Sequence, residues 1–175
     1  MSELSRDGAA TAAGERGAIG KWTCNIGVEV GMPVELSQTS ESRARALDRI
    51  AAALLRLDDN DWTSAELRVT CAGGMMELDL ALFKSDGSAN RLLALDEDGE
   101  VACEGLRLAM YEPGKGTWFN ARFTVDANRQ FQAEFDYDGP PFDGVADAEF
   151  LIEDQRLFPR AEELLPAWHP SRRSA

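Results

Sequence analysis

Cysteine and histidine are scarce in this chain: three thiols, Cys24, Cys71 and Cys103, and one imidazole, His169. Three thiols without a CxxC spacing make neither a disulfide framework nor a zinc cluster, and one histidine cannot build a histidine metal site. Buried, reduced thiols that pack as small hydrophobes are the expected role. Long apolar runs are missing too, and none approaches the roughly 18 residues of a membrane span. The first twenty residues mix both charges with glycine and alanine and hold no apolar leader core. They read as a disordered tail over 1–20, ahead of one domain over 21–175, in a cytoplasmic protein.

Positive charge is the third shortage. Eighteen basic residues stand against thirty-one acidic ones, for a net charge of −13. Such a field repels nucleic acid and anionic lipid, whose binding depends on Lys and Arg neutralising phosphate. Neither nucleic acid nor membrane is therefore an expected partner, whereas a basic protein is attracted and associates faster. Hydrophobic residues at 44 % supply an ordinary core.

Periodicity places the elements. A polar stretch, 37–42, precedes Ala44, Leu47, Ile50, Ala51, Leu54 and Leu55, which recur on one face of a helix over about 42–57. After Trp62, Leu67, Val69 and Cys71 alternate with polar residues; Gly73-Gly74 turns the chain, and Met76, Leu78, Leu80 and Leu82 alternate again. This period of two predicts an antiparallel hairpin. Short strands are expected around Cys24–Val30 and Arg91–Leu95, with a turn at Asp96–Gly99. Residues 101–112 predict a helix that Gly105 weakens. From Trp118, Ala121, Phe123 and Val125 alternate with polar residues, Asp126–Arg129 turns, and Phe131, Ala133, Phe135 and Tyr137 alternate with acids. A helix over Val145–Phe158 follows, and Leu164, Leu165, Pro166 and Trp168 are expected to dock on a groove.

The two hairpins correspond when one is shifted by fifty-six places, which lays Leu67 on Phe123 and Val69 on Val125. The expected fold is α+β: one antiparallel sheet built from two helix–hairpin units, with helices packed on one face.

Catalytic chemistry finds little support. His169 lies in a proline-flanked tail and is expected to face solvent, which leaves no Ser-His-Asp arrangement. Gly114-Lys115-Gly116-Thr117 lacks the spacing of a phosphate loop. Asp96, Asp98 and Glu100 resemble a calcium loop, yet their glycine falls at the fourth position rather than the sixth. Glu134, Asp136 and Asp138 alternate onto one strand face, roughly 6.5–7 Å apart, but without aromatic sugar platforms. No catalytic residue, cofactor or metal ligand is assigned.

The acids themselves are the candidate site. Between Gln130 and Gln155 there is no Lys or Arg, while Glu134, Asp136, Asp138, Asp143, Asp147, Glu149, Glu153 and Asp154 all fall there. Like charges at such density repel, a cost that a cationic partner relieves. Glu134, Asp136, Asp138, Asp143 and Asp147 are the expected partner-binding residues, and Asp58, Asp59 and Asp61 extend the patch if the fold places them beside it. The aromatic residues Trp118, Phe123, Phe131 and Phe135 are expected to be scaffold.

The C-terminal half, about 100–170, also resembles the YezG-like immunity family. The resemblance is carried by Leu106-Arg107 before the tryptophan-started strand at Trp118, by Tyr137-Asp138 at the end of the hairpin, and by the ending Asp154–Arg160 with Pro166-Ala167-Trp168. It implies an α+β protein that neutralises a cognate toxin, often a nuclease, and it transfers no catalytic residue. Steric and electrostatic blockade of a basic groove agrees with the charge pattern. Two other classes stand beside it: a small-ligand or regulatory domain with Trp118, Tyr137 and Trp168 around a groove, and a carboxylate hydrolase using Glu134.

Overall fold

Two helices cover one face of an antiparallel sheet, and the reason is visible in which residues each element hides. The structure, a computed structural model, describes residues 21–23, 36–57, 61–91 and 94–172. The expected strand at Cys24–Val30 and the tail 1–20 lie outside the described residues. Among the described residues no helix is long and apolar enough to cross a membrane.

The first helix, α1, spans Leu36–Leu55, starting six residues before the expected start at about 42. Its buried residues are Ala46, Ile50, Ala53 and Leu54, so of the expected stripe Ile50 and Leu54 are buried, Leu47, Ala51 and Leu55 are half-buried and Ala44 is exposed. The second helix, α2, spans Glu97–Ala109, so the expected turn at Asp96–Gly99 is a helix start instead. The Asp96 carboxylate caps it, accepting the Gly99 N–H at 2.8 Å, which satisfies one of the orphan donors of a first turn. Gly99 also sets how closely the helices meet. A Cβ there would stand 2.8 Å from that of Ala53 and 2.7 Å from the Leu95 side chain. Arg49 with Asp98, at 2.5 Å, and Arg56 with Asp96, at 2.6 Å, join the two helices at their solvent margin.

Among the described residues six strands form the sheet: β1 (Lys21–Thr23), β2 (Trp62–Ala72), β3 (Met75–Lys84), β4 (Ala89–Asn90), β5 (Asn120–Asp126) and β6 (Phe131–Asp136). Their order is β1-β3-β2-β5-β6, with β4 pairing β3 off this path. β4 lies just before the expected strand at Arg91–Leu95, part of which, Leu92 and Leu93, lies outside the described residues. The central pair, β2 and β5, is antiparallel and places Leu67 beside Phe123 and Ala65 beside Val125. Because side chains alternate, Leu67, Val69 and Cys71 turn to the helices together with Leu80, Ala121 and Phe123, all buried.

The third helix, α3, spans Ala148–Leu157 and meets the tight turn between β2 and β3. Gly73 has φ +57, and its N–H donates to the Asp154 carboxylate at 2.9 Å. That carboxylate also receives the Arg107 guanidinium at 2.6 Å in a buried ion pair. Arg160 is the second buried cation: it donates to the carbonyls of Tyr137 and Thr117, and its guanidinium lies 4.3 Å from the Phe119 ring centroid. Gly116, at φ +76, leaves the space that the Arg160 stem occupies.

The C-terminal segment docks partly as expected. Leu165 is buried, and Trp168 packs edge-on to Phe119 and donates its indole N–H to the Asp138 carbonyl at 2.7 Å. Leu164 stays exposed. His169 departs from expectation: it is only 3 % exposed, not solvent-facing. Its Nδ1 accepts the Ser171 N–H at 3.1 Å, within the same closely packed segment.

Candidate functional site

Alternation that sends apolar side chains to the helices sends the polar ones to the opposite, open face of the sheet. Register then lines them up in rows. Asp79 of β3 stands beside Arg68 of β2, Arg68 beside Arg122 of β5, and Arg122 beside Glu134 of β6. Two arginines directly opposite one another repel, and the neighbouring carboxylates answer that repulsion. Glu66 accepts from Arg68 at 2.7 Å and lies 3.9 Å from Arg122, while Glu134 accepts from Arg122 at 2.5 Å. Arg91 pairs with Asp79 at 3.0 Å.

The next row carries Thr70, Asn120 and Asp136, and here the chain after β6 folds back over the sheet. The Thr70 hydroxyl donates to the Asn120 side-chain oxygen at 2.8 Å and accepts the Phe142 N–H at 2.8 Å. The Asn120 amide donates to the Gly139 carbonyl at 3.1 Å. Three successive residues, Phe142, Asp143 and Gly144, have positive φ of 52°, 53° and 82°. For Phe142 that is an unfavourable region, held by the Thr70 bond.

The segment 142–150 thus forms a wall, and the open face forms a floor, around a cavity of about 950 Å³. Six carboxylates line it, Glu77, Asp79, Glu134, Asp136, Asp143 and Asp147, against three guanidiniums, Arg68, Arg91 and Arg122. Every one of those arginines is already ion-paired. The balance is negative, and Val145, 81 % exposed, stands between Asp143 and Asp147 at the rim.

The structure brings four of the five expected partner-binding residues to this cavity: Glu134, Asp136, Asp143 and Asp147. They are not equivalent. Asp136 accepts the N–H groups of Asp138 and Gly139 at 3.0 and 2.8 Å, and these bonds hold its carboxyl below the usual range. It is committed to the turn. Glu134 is shared with Arg122. Asp143 and Asp147 are exposed, and Asp147, although it begins α3, makes no side-chain cap bond. Asp138 does not join them: β6 ends at Asp136, the strand alternation stops there, and Asp138 is absent from the lining. Asp154 leaves the acidic surface altogether, buried against Arg107. Asp58 and Asp59 lie outside the described residues, and Asp61 accepts from the Ser85 hydroxyl at 2.9 Å.

Sequence reading missed Glu77, Asp79 and the three arginines of the cavity. Their signal was present as the polar half of each strand's alternation; only the cross-strand register shows that they share a row.

Among the described residues the other reactive groups are shielded, and Cys24 lies outside them. Burial pushes the Cys71 thiol up to about 12 and raises that of Cys103 as well, which removes the reactive thiolate at neutral pH. Burial lowers the His169 imidazole. Asp96 and Asp98 are occupied by Arg56 and Arg49, and no group of three or more candidate metal ligands occurs among the described residues. Trp118 is fully buried and Trp168 packs on Phe119, so neither lines the cavity.

The chain matches no family model and no curated protein sequence.

Proposed function

We propose that this chain is a non-enzymatic, cytoplasmic immunity protein that binds a basic toxin, of nuclease type, and blocks it through the carboxylate-lined cavity on the open face of the sheet. One observation carries the reading: four acids picked out by sequence converge on one cavity whose own arginines are already neutralised. Basic side chains of a nuclease groove, built to hold phosphate, complement such a surface and are steered towards it. Asp143 and Asp147 are the first carboxylates such a partner meets, with Glu134 behind them. The family resemblance supports the same class of function. The same reading takes α1–β2–β3 and α2–β5–β6 as two copies of one helix–hairpin unit, supported by the adjacent antiparallel placement of β2 and β5.

The proposal expects a basic toxin domain to be encoded beside this gene, and that domain is the partner for the test. Association measured by surface plasmon resonance at low salt should slow by about tenfold or more in the double variant Asp143→Lys/Asp147→Lys, with circular dichroism unchanged. Equal rates for both proteins overturn the proposal. Asp136→Lys is the wrong probe, since it releases the turn as well as reversing a charge.

A second reading has one observation in its favour. A volume of about 950 Å³ falls in the range of small-molecule sites, about 300–1,000 Å³. A ligand there would raise the melting temperature without passing near Trp118, and a thermal-shift screen of cationic and zwitterionic metabolites tests it.

A further inference from the structure

We propose that the outer edge of β6 accepts an extended segment of the basic partner as an added strand. This rests on the reading above and supplies its binding mode. β6 is the last strand in the sheet order. Among the described residues, the backbone groups of Phe131–Asp136 bond only to β5, to the adjoining turns and, at the Asp136 carbonyl, to the N–H of Phe119 just before β5.

Register identifies which groups are open. The Asp126 N–H donates to the Gln130 carbonyl at 3.2 Å where the hairpin begins. Hydrogen-bonded and non-hydrogen-bonded pairs alternate along an antiparallel ladder. Gln132 and Glu134 therefore point their backbone groups inward, towards Thr124 and Arg122. Phe131, Ala133 and Phe135 point theirs outward: three N–H donors and three carbonyls in a row, the template for strand addition.

The side chains flanking that row define what fits. Phe131, Ala133 and Phe135 are half-buried at the margin of the core, while Gln132, Glu134 and Asp136 are exposed on the open face. Residues opposite each other in paired strands share a face. An incoming strand thus places alternate apolar residues beside the phenylalanines, and alternate Lys or Arg beside Glu134 and Asp136.

Charge complementarity selects the occupant. No Lys or Arg occurs from Gln130 to Gln155, so a basic strand meets no repulsion from this segment. A second copy of this chain fits worse, because antiparallel pairing of two β6 edges brings the acids of both onto one face. Charged side chains on short edge strands discourage self-pairing; here they leave the edge open to the opposite charge.

The test uses the full chain and a synthetic peptide of about nine residues, alternating Lys and Val, matched to a strand of ordinary length. Amide hydrogen exchange is followed by NMR. In the free protein the Phe131, Ala133 and Phe135 amides should exchange fast, and those of Gln132 and Glu134 slowly. Peptide at up to about 1 mM, enough for a weak complex, should slow the first three by about tenfold or more. Ala133→Pro removes one outward donor and spares the inward ladder, as edge strands allow. It should weaken peptide binding by about tenfold.

Peptide binding without protection of the three amides overturns the proposal, as does no binding at all. So does protection that grows with protein concentration before peptide is added, which would mark a second copy as the occupant. If Ala133→Pro fails to fold, the wild-type exchange result still decides. Loss of toxin binding in Asp143→Lys/Asp147→Lys, with no protection at the edge, would reject strand addition and leave the carboxylate cavity standing. Toxin association unmoved by those two charges, with the edge protected, would reject the cavity instead.

Discussion

Single residues in this chain carry two kinds of charge, committed and available, and sequence does not separate them. Asp136, Asp143 and Asp154 read alike in a basic-poor stretch. One organises a turn, one is exposed at a cavity rim, and one is buried against Arg107. His169 shows the same point with a measurable consequence. Burial lowers its imidazole below the ordinary 6.5, with the Asp154 charge opposing and Arg160 assisting. An unfolded chain takes up a proton as pH falls through about 6.5, and the folded one does not. Stability therefore declines with falling pH below about 6.5 and levels off under the folded pKa. The slope for one such group is at most about 1.4 kcal/mol per pH unit. Urea unfolding at about pH 7 and pH 5.5 should show this loss in the wild type. His169→Gln, which keeps an acceptor for Ser171, should lose less between the two. Equal losses in the two proteins would assign the slope to other groups.

At the scale of elements, caps and glycines determine where helices begin and how they pack. Asp96–Gly99 carries the residue types of a turn, and the same types make a helix N-cap; the chain uses them for the cap because α1 lies alongside. Gly99 and Gly105, both in α2, are opposite cases. A side chain at Gly99 collides with Ala53 and Leu95, whereas a Cβ at Gly105 meets nothing within 4 Å. Gly105→Ala should accordingly raise stability by about 0.5–1 kcal/mol, the helix propensity difference. Chemical denaturation checks it, and a destabilised variant would show that Gly105 has a packing role. Strands were more legible than helix ends. The β2–β3 and β5–β6 hairpins follow from alternation and their turn residues, because a period of two leaves only one way to bury the apolar set.

For the whole molecule, the C-terminal third is held to the rest by two buried arginines. Arg107 links α2, α3 and the Gly73 turn through Asp154, and Arg160 reaches Thr117, Tyr137 and the Phe119 ring. Asp154→Ala would strand the Arg107 charge and one backbone N–H in the interior. Breaking a buried pair in this way costs about 3–5 kcal/mol, or on the order of 10 °C in Tm for a domain of this size. A calorimetric shift under about 3 °C would mean that water reaches the pair. The residues on which the proposed immunity-family reading of the C-terminal half rests include Arg107, Asp154, Arg160 and Trp168, and these fix this segment to the sheet. The resemblance thus bears on architecture more than on the surface that would meet a partner.

Sequence by itself determined the local structure: two alternating hairpins, three helical stripes, and an acid-rich stretch without a basic residue. Those depend on side-chain period and composition, which neighbours in the chain suffice to define. Tertiary structure decided which carboxylates remain exposed, that β2 and β5 lie side by side, and that a row of ion pairs floors the cavity. These outcomes depend on contacts between residues far apart in the chain, where register and burial, rather than residue type, determine what each charge is free to do.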